Sequence, residues 1–185
     1  MTWTDYTNYF DDILSNPAPL PPYDNPDYMD YTKMNHARMN RWIKKGILTE
    51  ETKEVIAGIK APQKWLLITE PWCGDAAHSV PFIQMMAALT DNVELEIQLR
   101  DSGSEIGDYL TNGGKAIPML IIRDASGKDL AIWGPRPAEC QVIFLEMKAN
   151  NADFETQKIT LQNWYNKDNG QSIQREIIKL ISGIL

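Results

Sequence analysis

Only two cysteines, Cys73 and Cys140, and two histidines, His36 and His78, occur among the 185 residues. Two thiols are too few for a disulfide scaffold or a tetrahedral zinc site. Neither histidine has a second ligand at metal spacing, so no metal or other cofactor is expected, and both read as hydrogen-bonded or solvated rings. Positive charge is scarce as well: 18 Lys and Arg against 25 Asp and Glu leave a net charge of -7. Nucleic acids and anionic membranes need clustered cations to displace counterions, so neither is an expected partner. No apolar run approaches the roughly 18 residues of a membrane span. The stretch Met1-Thr2-Trp3-Thr4-Asp5 has neither the basic nor the apolar region of a secretory signal. The expectation is a cytoplasmic protein whose thiols stay reduced, so that each cysteine serves either chemistry or packing.

What is present suffices for a sizeable core, since 43% of the residues are hydrophobic, and the length fits one domain with elaborations. Tyr6, Tyr9, Phe10, Ile13 and Leu14 follow the stripe of a short amphipathic helix that Asn16-Pro17 should end. Pro17 to Asp30, rich in Pro, Asp and Tyr, reads as an extended arm over a surface. Tyr28 to Lys45 then gives a helix with Tyr31, Met39, Trp42 and Ile43 inward and Gly46 as its C-terminal cap. Thr49 caps a following helix bearing Val55, Ile56 and Ile59, which Ala61-Pro62 stops. Strands are predicted at Trp65 to Ile68, Val93 to Leu99 and Met119 to Ile122, the last paired with another strand through Ala125-Ser126-Gly127. Helices are predicted at Val80 to Leu89 and Ser104 to Leu110, and another starts after Arg136-Pro137. Asn112-Gly113-Gly114-Lys115 lacks phosphate-loop spacing and reads as a turn. Near the end come a helix around Phe154 to Tyr165 and one with Ile173, Ile177, Leu180, Ile181 and Ile184 on its apolar stripe.

Cys73 stands out in Thr69-Glu70-Pro71-Trp72-Cys73-Gly74-Asp75-Ala76. It follows an apolar strand and opens a helix whose first-turn N–H groups are free to face its sulfur. The helix dipole, about half a positive charge, favours the thiolate, whereas Asp75 opposes it as a like charge, and sequence does not sign the sum. The alternative is a buried inert thiol. His78 lies five residues on, at a helical angle that points it away from the sulfur, which argues against a Cys-His pair. Arg136 has two readings: a contact to an anionic group, or a salt bridge to Asp75, Asp101 or Glu139.

Trp72-Cys73-Gly74-Asp75-Ala76 resembles the W-C-x-x-C motif of thioredoxins, with Ala76 in place of the resolving cysteine. Ile117-Pro118 stands where thioredoxins carry an aliphatic residue and a cis-proline. Together with Arg100-Asp101 and Trp133-Gly134-Pro135-Arg136-Pro137, these motifs are similar to those of bacterial thioredoxin-like proteins of unassigned activity, over roughly residues 35 to 185. The resemblance implies an α/β thioredoxin-like fold, a central mixed four-stranded sheet flanked by helices. Residues 1–60 would form an N-terminal helical arm and extension, 61–150 the thioredoxin-like core, and 151–185 a C-terminal helical extension packed on it.

That resemblance also implies a site: Cys73 as a single-thiol nucleophile, with Trp72, Gly74, Asp75, Ile117, Pro118 and Arg136 binding substrate. Thioredoxins carry a buried acid six residues before the nucleophile, where this chain has Leu67. With both the acid and the resolving thiol missing, attack on a disulfide would stop at the mixed disulfide with a protein client or a low-molecular-weight thiol such as glutathione. Cys140 is the only internal substitute for the resolving thiol, and its other reading is a packed apolar residue. The competing function is a redox-inactive binding module for a peptide or small molecule, with a groove among Trp72, Ile117-Pro118 and Trp133-Gly134-Pro135.

Overall fold

The computed structural model describes residues 1–185. Three helices come first: α1 (Trp3–Ser15), α2 (Pro26–Lys45) and α3 (Glu50–Ala57). The sheet follows as β1 (Gln63–Thr69), α4 (Gly74–Ala87), β2 (Val93–Leu99), β3 (Met119–Asp124) and β4 (Asp129–Trp133), and the chain closes with α5 (Ala138–Ala149), α6 (Phe154–Asp168) and α7 (Gln171–Ser182). Strand order is β2-β1-β3-β4. β1 runs parallel to β2, from Gln63 opposite Val93 to Thr69 opposite Leu99, and antiparallel to β3, which is antiparallel to β4. This is the mixed four-stranded sheet expected of a thioredoxin-like fold, with helices on its faces.

Local chemistry explains most element ends. Thr2 and Asp5 form a capping box on α1, each satisfying a backbone donor of the other's residue. Asn25 caps α2 ahead of Pro26, whose missing N–H costs nothing in a first turn. Thr49 accepts from the Thr52 N–H at the start of α3. β1 is buried along nearly its whole length, with Trp65, Leu66, Leu67 and Ile68 at most 1% exposed. Both its faces are therefore covered: α4, α2 and α7 contribute Ile83, Met39 and Ile177 to the same continuous core. No helix is long and apolar enough to cross a membrane.

Three expectations need correction. Ser104 to Leu110 is a single 3-10 turn, Glu105–Asp108. Only Ile106 anchors it in the core, and an isolated turn without an apolar face does not propagate. The inward face of α2 is Thr32, Asn35, Met39 and Trp42; Ile43 is exposed and Tyr31 half-exposed. Hydrophobicity misjudged this face because its two polar members are satisfied, Thr32 by the Tyr28 carbonyl and Asn35 by the Pro71 carbonyl. The arm is also shorter than expected, since α2 already begins at Pro26; within it Tyr23 is buried and its hydroxyl reaches Glu70.

Candidate functional site beside Cys73

Cys73 is the N-cap of α4 and makes no side-chain capping bond. Its position comes from three directions. The Cys73 N–H bonds the Glu70 carbonyl, closing the turn after β1. The Asn35 amide of α2 donates to the Pro71 carbonyl at 3.0 Å. From the β3 side, the Cys73 S–H donates to the Ile117 carbonyl at 3.4 Å, ahead of a cis Ile117-Pro118 bond. Glu70 in turn accepts from the Asp101 N–H at 3.1 Å and from the Tyr23 hydroxyl at 3.4 Å, tying β1, the end of β2 and the N-terminal arm together behind the sulfur. Burial raises the Glu70 carboxyl above the usual carboxylate range.

The question of thiol against thiolate is decided by burial. Cys73 is 8% exposed. Desolvation, followed by the nearby Asp75 carboxylate, pushes its pKa up to about 12. The Ala76 and Asp75 N–H groups do face the sulfur, and Arg136 lies close, but all of these lower the value by less than burial raises it. Cys73 is thus a neutral thiol at neutral pH. Cys140 is wholly buried and is likewise pushed up to about 12 by burial, with the Asp75 carboxylate adding to it.

Asp75 and Arg136 form a buried ion pair. Arg136 Nη2 lies 2.6 Å from Asp75 Oδ2, and the Tyr165 hydroxyl donates to Asp75 Oδ1 at 2.9 Å. The Arg136 guanidinium also donates to Gln141 Oε1 at 3.1 Å and sits 4.0 Å from the Phe144 ring centre. Of its two sequence readings, the salt bridge to Asp75 is the one the structure contains. His78 is satisfied on both nitrogens: Trp42 Nε1–H donates to Nδ1 at 2.9 Å, which leaves the ring proton on Nε2, 3.2 Å from Gln162 Oε1. Burial holds its pKa down to about 3, and Tyr165 stacks flat on the ring at 4.5 Å.

These residues border a cavity of about 750 Å³. Trp72, Cys73, Gly74, Asp75, Ile117 and Arg136 all line it, whereas Pro118 does not. Nor do Trp133, Gly134 and Pro135. Trp133 is buried there, with its indole N–H on Glu176 of α7 at 2.6 Å. The cavity opens instead between α2 and α6, which supply Tyr28, Tyr31 and Arg38 on one side and Phe154, Lys158, Leu161, Gln162 and Tyr165 on the other. Sequence reasoning missed these residues. The one available signal was that two segments outside the expected core carry aromatic and cationic residues at helical spacing.

Fold and site define a thioredoxin-fold protein with one cysteine, and no resolving partner, at the helix start that follows β1. A thioredoxin family model, Thioredoxin_9, matches residues 23–167, and the chain belongs to that family. No curated protein matches the sequence. Two solved structures share the fold along almost the whole of both chains. One is a Pseudomonas aeruginosa protein of unknown function, PA1234, at TM-score 0.58 and 14% identity, covering 100% of this chain and 99% of that one. The other is an HIV epitope scaffold at TM-score 0.57 and 14% identity, covering 99% of each chain. At such identity they speak for the fold alone.

Proposed function

We propose that this chain is a thioredoxin-fold binding module that takes a small molecule in the cavity beside Cys73, where the thiol acts as a neutral hydrogen-bonding group. The observation that carries this reading is the state of Cys73. Its sulfur borders a cavity of ligand size, yet it is held as S–H on the Ile117 carbonyl. That carbonyl is also a backbone group that an extended peptide would use for strand pairing, so a small molecule suits the site better than a peptide. The expected test is alkylation of Cys73 by iodoacetamide across pH, with Cys140→Ser to leave one thiol. Moving from the ordinary value of 9.0 to about 12 leaves roughly a thousandfold less thiolate at pH 7. Alkylation should therefore be slow at neutral pH, rise only above about pH 10, and become fast on unfolding. An inflection below about 8.5 would overturn the reading.

A second reading, single-thiol exchange through mixed disulfides with a protein client or a low-molecular-weight thiol, is favoured by the Asp75 and Ala76 N–H groups that face the sulfur. Ala76→Cys separates the two. The introduced thiol stands one helical turn from Cys73, and oxidised glutathione should close an intramolecular disulfide, read as the loss of two titratable thiols on the Cys140→Ser background. For the binding module, insulin reduction stays at background in this variant, because the Cys73 thiol stays un-ionised and does not attack a disulfide. Measurable turnover, kept modest by the missing acid at Leu67, would instead establish an exchange site.

A further inference from the structure

The cavity has a charge pattern that the chemistry of Cys73 does not explain. Of the cations lining it, Arg136 pairs with Asp75, Lys158 with Glu155 at 2.6 Å, and Arg100 with Asp101 at 2.7 Å, while Lys115 has no carboxylate partner but is exposed to solvent. Arg38 is different. It is half-buried on α2, its Nη1 donates to Asn35 Oδ1 at 2.9 Å, and no carboxylate pairs with it. Its charged neighbour is another cation, Arg41, which is spent on the Trp42 ring and on Asn166. Asp27 also lines the cavity but belongs to the first turn of α2, about 16 Å along the helix axis from Arg38 and too far to neutralise it.

A half-buried guanidinium without a counter-ion is costly. Arg38 is also preorganised. Asn35, fully buried, holds Arg38 through its Oδ1 and the Pro71 carbonyl through its Nδ2. The guanidinium is thereby fixed relative to the Trp72-Cys73 turn, while Nε and Nη2 keep no protein partner and form a fork suited to a planar anion. Around it the walls are rings. Tyr31 and Phe154 meet edge-to-face at 6.2 Å, joining α2 to α6, and Tyr165 and Trp72 also line the cavity.

We propose that the cavity is a site for a small aromatic anion, an aryl carboxylate or sulfonate, whose charged group is held by the Arg38 fork and whose ring packs among Tyr31, Phe154 and Trp72. This rests on the binding-module reading and specifies its ligand class. Two probes of similar shape test it in the full chain by fluorescence: 8-anilinonaphthalene-1-sulfonate, and its uncharged counterpart N-phenyl-1-naphthylamine. Gly74→Trp localises the signal, since Gly74 lines the cavity and a Cβ there meets nothing within 4 Å.

The expected result is one sulfonate site, bound at least about tenfold more tightly than the amine and abolished by Gly74→Trp. Arg38→Gln, which can still donate to Asn35, should weaken sulfonate binding about tenfold and leave amine binding within about twofold. Equal binding of the two probes, both blocked by Gly74→Trp, overturns the anion assignment while the binding module stands. So does a sulfonate preference that survives Arg38→Gln. If neither probe binds in a manner sensitive to Gly74→Trp, the binding module falls with it. Comparison of the two probes on the unaltered chain decides the anion question even where Arg38→Gln fails to fold.

Discussion

Replacing Arg136 by Met is expected to destabilise the fold by about 3–5 kcal/mol at pH 8, the usual cost of leaving one partner of a buried ion pair uncompensated. Arg136 and Asp75 are 14% and 11% exposed at their side chains, so solvent screens the pair little. Met keeps the aliphatic packing on Phe144 while removing the charge and the hydrogen bond to Gln141. Burial already raises the Asp75 carboxyl against the opposing pull of Arg136 and Tyr165. Without Arg136 it rises further. A carboxyl with a raised folded pKa binds its proton where the unfolded chain has lost it, so its contribution to stability falls as pH increases above the unfolded value. The deficit of the variant should therefore shrink from pH 8 toward pH 4. Adding Asp75→Asn should recover more than half of it at pH 8, because the neutral amide still accepts from the Tyr165 hydroxyl. Urea unfolding at the two pH values reads both effects. A loss below about 1 kcal/mol would mean that the pair behaves like a solvated surface bridge.

Gly170→Ala carries a comparable expected loss for a different reason. Asn169 ends α6 and Gly170 begins α7, both in the left-handed region, with φ of 51° and 73°. A Cβ at Gly170 would overlap the ring of Phe82, which is fully buried in α4. The left-handed conformation costs an L-residue about 1–2 kcal/mol, and overpacking of a buried ring adds about 1–3. Together they suggest a loss of about 2–5 kcal/mol, or roughly 5–15 °C in thermal midpoint for a chain of this size. Gly113→Ala separates the two contributions: φ there is 79°, but the added Cβ meets nothing within 4 Å, so it should cost only the first. The Gly170 joint also bears on the site. α6 leads into it and carries Tyr165, so a shift that relieves Phe82 would move the hydroxyl that holds Asp75.

Much of this architecture was legible because its signals are local. The four strands appear where apolar runs between turn residues put them. Ile117-Pro118 lies next to Cys73, and the stripe of Ile173, Ile177 and Ile181 is buried. The caps at Thr49 and Gly46 hold for the same reason, since a cap is a contact within one turn. Where a signal depended on another element, it failed. Thr32 and Asn35 were not counted on the inward face of α2, since their acceptors lie in other turns, and Ser104 to Leu110 looked long enough for a helix whose apolar face turned out to be Ile106 alone.

The sequence by itself determined the order of the elements and the placing of Cys73 at a helix start without a resolving cysteine, because strand alternation, helical periodicity, caps and the two cysteines are all written in neighbouring residues. Tertiary structure alone decided how that cysteine is enclosed. Whether the helix N–H groups or burial dominates at the sulfur depends on how closely the Ile117 segment and the Asp75–Arg136 pair enclose it. The cavity was equally out of reach of sequence. It is a space left between α2 and α6, two helices far apart in the chain, and no local pattern records a volume that side chains leave unfilled. The unpaired, half-buried charge of Arg38 belongs to the same class, since a missing counter-ion becomes visible only when every carboxylate has been given its place.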